Sequence, residues 1–354
     1  MAENKEKLVF DVAYQPQVRA PRDTKSIMLD VMIALLPALA VSVWQFGFKQ
    51  LLVVAVSVAS AVFYEWLYRK LLKKSCAIGD LSACVTGMLL AMTLPMNSPW
   101  WLPLIGNLFA IVVVKQLYGG IGKNFVNPAL AGRAFLLASY TNLMGTWAVP
   151  KALEGQIDAV TMATPLSCLY GDGAMPAYYT AKSMFLGMIP GCIGEISTAA
   201  LLIGFAYLLI RRVISWRIPV SFIGTVALLT LIFGHGGFGH VDWMTYNLLS
   251  GGLILGAVFM ATDYATSPVT MKGQLVYGFG CGALTVLIRY FGGFPEGVTY
   301  AILIMNLCSW ALDKAFHRHQ FGVNPSALNM LDKADRYEEK ARKLREKAQG
   351  GYKK

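Results

Sequence analysis

Ten apolar runs, at 27–46, 50–71, 81–95, 99–115, 127–141, 195–210, 217–234, 245–262, 273–290 and 296–312, occupy about half of this chain. In lipid such a run can satisfy its own backbone N–H and C=O groups only as a helix or within a closed barrel, and these runs lack the two-residue alternation of barrel strands. The pattern therefore predicts an all-α polytopic membrane protein with about ten transmembrane helices. With 56% apolar and only 14% charged residues, an ordinary soluble domain is excluded. Several runs are only 15 to 17 residues long and rich in Gly and Pro, at or below the usual crossing length, so tilted or broken helices packed among neighbours are expected.

The net charge of +11 is explained by where the cations fall. The first 25 residues hold five Lys or Arg and no apolar core, so no cleavable signal peptide is expected and the chain starts in the cytoplasm. Ten spans then put Arg69, Lys70, Lys73, Lys74, Lys115, Lys123, Arg211, Arg212, Arg217, Lys272 and the basic tail on the cytoplasmic side. Only Lys49, Lys151, Lys182 and Arg289 fall outside, the asymmetry of the positive-inside rule. The cations need no nucleic acid as partner. The organisation expected is a cytoplasmic segment 1–26, a first five-helix repeat 27–141, an external loop 142–194, a second five-helix repeat 195–313 and a charged cytoplasmic tail 314–354.

Two stretches support a repeat: "LYGGIGKNFVNPA" at 117–129 and "YFGGFPEGVTYA" at 290–301 each follow a span ending in a cation, Lys115 or Arg289. Five spans per half is an odd number, so the repeats would be inverted, an arrangement common in transporters. Within the loop, "MFLGMIPGCIG" at 184–194 is too short to cross, and it either hugs the surface or dips into the membrane. The tail pairs opposite charges four apart, as in Asp332/Arg336 and Glu338/Arg342, the pattern of a solvated helix.

No nucleophile–base constellation and no phosphate-binding loop stand out, and no catalytic residue is assigned. The six cysteines form no C-x-x-C pair and His235 and His240 share one glycine-rich turn, so no metal site is expected from this chain alone; an iron–sulfur cluster would need ligands from another subunit. Asp30, Glu65 and Asp313 lie near span ends, where snorkelling or capping suffices. Arg133 lies deeper and needs a counter-charge. Asp263 sits in "MATDYATSPVT", where hydroxyls and Pro268 interrupt a span and free carbonyls, a setting suited either to coordinating an ion or to a simple cap. In the loop, Pro165 biases Thr164 towards an extended conformation, which presents its hydroxyl outward or lets it bond the local backbone.

"DAVTMATPL" at 158–166, "KQLYGGIGKNFVNPALAG" at 115–132 and "ATD...PVT" at 261–270 together resemble the family of membrane proteins that includes RnfD of the Rnf electron-transport complexes. The family also includes NqrB of Na⁺-translocating NADH:quinone oxidoreductase. The resemblance runs from about Ser26 to Asp313. It implies a flavin-attachment motif in which Asp158, Thr161 and Ala163 precede Thr164, whose hydroxyl would be esterified by the phosphate of FMN, a phosphoryl threonine. Ala159 stands where the family often has Gly. The resemblance further implies a separate flavin transferase, a second, non-covalent flavin (riboflavin) in some members, and the other Rnf subunits (A, B, C, E, G) as partners. Electron passage would be coupled to movement of Na⁺ or H⁺, with Asp263 a candidate in that path by position and chemistry. A bacterial cytoplasmic (inner) membrane location follows, both termini cytoplasmic and the flavin loop outside. The short N-terminal segment favours the Rnf relative over the quinone-reducing one. A solute channel or transporter on the same scaffold is the competing function, since fold does not fix function.

Overall fold

A computed structural model describes residues 23–74, 78–153, 162–171, 175–234, 239–292, 296–316 and 337–338. Its helices are α1 Thr24–Phe46, α2 Lys49–Leu71, α3 Ser82–Met92, α4 Leu102–Gln116, α5 Pro128–Ser139, α6 Thr141–Met144 and α7 Pro165–Tyr170. There follow α8 Ala181–Leu186, α9 Thr198–Ile210, α10 Arg217–Ile232, α11 His240–Leu249, α12 Leu253–Met260, α13 Met271–Phe291 and α14 Val298–Ala315. Among the described residues there is no β-strand, only an isolated bridge between Pro95 and Cys192. The chain is an all-helical polytopic membrane protein.

Each of the ten apolar runs lies on a helix or a broken pair. By length and composition, however, only α1, α2 and α13 among the described residues cross a membrane unaided, with α11 and α12 together a fourth candidate. The rest are short for the physical reason the sequence suggests: Gly, Pro and polar residues end them early. The outward faces carry Trp44, Phe63, Ile203, Leu228, Phe279, Leu287 and Trp310 in the open, an apolar surface that suits lipid and would be costly in water.

Close helix contact comes from small residues. At Gly87 of α3 a Cβ would stand 2.8 Å from the Ser57 carbonyl and 2.9 Å from the Ala61 Cβ of α2, the close approach typical of membrane helices. Asn107 donates to Ser57 and Ser60 in the same layer. Second-half helices α10 and α13 pack just as closely, Gly282 meeting Thr225 and the Phe222 carbonyl.

Two features depart from straight spans. The run at 245–262 bends by 62° between α11 and α12, where Gly251 takes a left-handed φ of +69° that only glycine adopts without strain. The interruption expected around Asp263 is instead the end of α12; the bend lies a dozen residues earlier. In addition, most of α4 (Leu108–Gln116) and of α12 (Gly256–Met260) follow the wider π-helical pattern, which is concentrated at functional sites in proteins generally.

The stretch 184–194 does not hug the surface. After α8 the chain from Ile189 to Thr198 is buried, Ile193 N–H donating to the Leu94 carbonyl and Gly194 N–H to that of Met92. It dips inward and pairs with the break that follows α3.

Candidate functional site

Thr164 caps a short, firmly docked helix. Its side chain accepts from the Ser167 N–H at 3.2 Å and donates to Ser167 Oγ at 3.0 Å, and Pro165 supplies the first helical φ of α7. Local sequence explains the motif: a Thr followed by Pro is a good helix start, with the extended ψ of 155° that the proline favours. Three contacts hold α7 in place. Tyr179 donates to the Ala163 carbonyl at 2.6 Å, Tyr170 donates to Asn247 Oδ1 at 2.6 Å, and Leu166 sits over Gly251. Burial pushes the Tyr179 hydroxyl far above its ordinary range, so it stays a donor, and pushes the Cys168 thiol up as well. Asp158 and Thr161 lie outside the described residues.

Behind α7 stands Arg289, near the end of α13. It is 2% exposed and donates to the Asn247 carbonyl at 2.8 Å and to Asn247 Oδ1 at 3.3 Å, with a longer contact to the Ser250 carbonyl. Trp243, Tyr170 and Tyr290 stack edge to face beside it. Sequence position predicts a span end facing outward for this cation; the structure buries it instead, because Asn247 and Ser250 at the end of α11 offer it acceptors.

Arg133 has the counter-charge it needs. Its Nη1 meets Glu195 at 2.8 Å, and its Nη2 meets Glu296 and lies 3.6 Å from the Cys192 sulfur. The Cys192, Glu195 and Glu296 ligand atoms fall within 4.8 Å of one another, and the guanidinium already occupies that cluster.

A third constellation lines a small cleft of about 80 Å³ between α1, α3, α5, α9 and the ends of α4 and α12. Asp263 is on its wall with Lys115, Ser82, Asn124, Asn127 and Thr262. The Asp263 carboxylate accepts from Thr266 at 3.2 Å. Asn127 caps α5 through its Oδ1 and donates to the Met260 carbonyl, while Asn124 Oδ1 is buried with no hydrogen-bond partner among the described residues. Lys115 does not face cytoplasmic water, as its sequence position predicts, because Glu65 holds it at 2.9 Å and Ser82 at 2.6 Å inside the protein. Nor does Glu65 snorkel: it is 0% exposed and also takes Gln116 and Arg69. Asp30 is likewise buried, against Tyr207 and Arg211. Asp313 is a cap, accepting from the Val269 and Thr270 N–H groups.

Thr164 and Asp263 therefore belong to separate sites. Sequence reasoning passes over Glu195, Glu296, Asn247, Tyr170 and Tyr179. A signal exists for the first two, since each carboxylate adjoins an apolar run where an ion must find a partner; the other three are ordinary residue types whose roles need the tertiary structure.

Buried ion pairs among short, broken and π-distorted helices, with apolar faces turned outward, define a polytopic membrane protein. The chain matches the model of the NQR2, RnfD, RnfE family over residues 11–322 and belongs to that family. It is 47% identical over 321 residues, 89% of this chain and 96% of the relative, to the D subunit of the Na⁺-translocating ferredoxin:NAD⁺ oxidoreductase complex of Acetobacterium woodii. Identity to the D subunit of the proton-translocating ferredoxin:NAD⁺ oxidoreductase complex of Clostridium ljungdahlii is 41%, covering 90% of this chain and 97% of the relative. The D subunit of the ion-translocating oxidoreductase complex of Shewanella amazonensis is 36% identical, with 89% and 99% covered.

Proposed function

We propose that this chain is the RnfD membrane component of an ion-translocating ferredoxin:NAD⁺ oxidoreductase, carrying covalent FMN on Thr164 and passing electrons within the membrane part of the complex. The observation that carries the reading is the near-full-length similarity to the D subunits of such complexes. Ferredoxin and NAD⁺ fall to other subunits (A, B, C, E and G), with Na⁺ or H⁺ as the ion moved. The location is a bacterial cytoplasmic membrane with both termini inside and Thr164 on the outer side, in keeping with the cation asymmetry.

The described residues fit the tether. Thr164 offers a hydroxyl at the start of a helix fixed by Tyr170, Tyr179 and Leu166. Esterification by a flavin transferase removes the hydroxyl proton, so donation to Ser167 is lost, while the ester oxygen still accepts from the Ser167 N–H. The bound flavin would supply the electron-carrying ring, the protein its placement. A helix held at three points restricts the attached group more than a free loop would.

The polar lining of the Asp263 cleft suits one edge of a second, uncharged flavin such as riboflavin. The one cation among its lining residues is neutralised by Glu65, so it offers no attraction to a phosphate, whereas Asn124 Oδ1, Asn127, Ser82 and Thr262 offer hydrogen bonds to a ring edge or a ribityl chain.

In-gel flavin fluorescence of the denatured chain, made together with its flavin transferase, tests the tether. A fluorescent band in the wild type that disappears in Thr164→Val is expected. Absence of the band, with a transferase active on another substrate, would remove the covalent flavin and favour a non-redox transporter.

A further inference from the structure

Lys115 and Arg289 end equivalent stretches of the two halves, and both are buried, yet they are balanced differently. Lys115 has a carboxylate 2.9 Å away. Among the described residues Arg289 bonds only neutral groups, the Asn247 side chain and two backbone carbonyls, and its Nε has no partner. The carboxylates in its neighbourhood, Glu195 and Glu296, bond to Arg133 and act on Arg289 only through space. A buried cation without a bound anion is costly, and this one is retained directly against α7. Tyr170 of that helix shares the Asn247 Oδ1 acceptor with Arg289. A Cβ on Gly251 would touch both Leu166, at 3.0 Å, and Arg289 Nη2, at 3.5 Å. Helix α7 spans six residues from Pro165, about 9 Å, so the charge lies within roughly a helix length of the tethering hydroxyl.

Resting on the covalent-flavin reading, we propose that Arg289 is the fixed cation that raises the midpoint potential of the flavin carried at Thr164. When the ring takes an electron, from a one-electron carrier of the complex or from dithionite in a titration, it gains negative charge. Arg289 favours that charged state through space, no bond to it being made or broken. The ring hangs from Thr164 by a phosphate and a ribityl chain, and the Arg289 charge, itself out of water, adds to the potential the ring meets there. Asn247 is the positioning residue: its carbonyl and Oδ1 hold the guanidinium.

The test is a dithionite titration of the full-length chain, made with its transferase, with the flavin at Thr164 identified by difference from Thr164→Val. Arg289→Met is expected to lower the midpoint potential, Arg289→Lys to lower it less, and Tyr170→Phe, which keeps the charge, to stay nearest the wild type. Leu166→Glu, which sets a carboxylate beside Arg289, is expected to lower it too, with Leu166→Gln as the neutral control; this pair decides the matter if the Arg289 variants do not fold. A midpoint unchanged in Arg289→Met or in Leu166→Glu, at wild-type covalent fluorescence, overturns the role of Arg289. Loss of fluorescence from the wild type overturns the flavin reading itself, a separate result.

Discussion

Lys115 and Glu65 are 50 positions apart in sequence and meet inside the protein. Hydropathy ranks each as a span-end charge facing water; only the tertiary packing of α2 against α4 reveals that they neutralise each other. Removing one partner leaves the other charge buried, which costs about 3–5 kcal/mol, while removing both costs far less. Lys115→Met is therefore expected to lower thermal stability in detergent strongly, and Lys115→Met with Glu65→Gln to recover much of it. A double variant no more stable than the single one would mean that the pair contributes through packing. At Thr164 the sequence is more informative, because Pro165 favours the extended ψ of 155° that is observed, and bonding the local backbone is one of the two roles it leaves open for the hydroxyl. The residues that dock α7, Tyr170 and Tyr179, carry no such signal.

Among elements, the apolar runs are legible to within a few residues at their ends, since lipid demands a continuous hydrophobic length. Less legible are the breaks. Ser250-Gly251-Gly252 is a readable punctuation mark, but the run around it is apolar on both sides, so hydropathy passes straight through the 62° bend. The π pattern of α4 is invisible to hydropathy, which records side chains and not hydrogen-bond register. Contact between α2 and α3 rests on Gly87: with the Ser57 carbonyl 2.8 Å from a new Cβ, Gly87→Ala is expected to cost about 1–3 kcal/mol. Gly224→Ala, with open space around it, is expected to be neutral. Thermal unfolding monitored by size-exclusion chromatography separates the two.

For the molecule as a whole, the expected pair of five-helix repeats stays an expectation, beside which two similar local arrangements can be set. In each half a left-handed residue, Leu81 or Gly251, precedes a short buried helix, α3 or α12, and a cation from the next long element, Lys115 or Arg289, reaches back to that break. Asp263 and Thr164 then lie in distinct places, a cleft and a docked helix. Asp263→Asn is accordingly expected to cut redox-driven Na⁺ or H⁺ uptake into vesicles to well under half while covalent flavin stays at the wild-type level. Parallel loss of both would make Asp263 a folding residue. Charge balance, which sequence totals express as a single number, is local in the folded chain: the cations at 115, 133 and 289 serve the interior.

The inward-dipping segment ties the halves together in a second way. Ile193 and Gly194, which lead into α9, donate to carbonyls at the end of α3, and Glu195 beside them grips Arg133 of α5. The two halves are thus sutured by peptide groups and by an ion pair as well as by the covalent chain. Held this way, the folded molecule is expected to survive a cut in the chain between α5 and α9, the two fragments still behaving as one body.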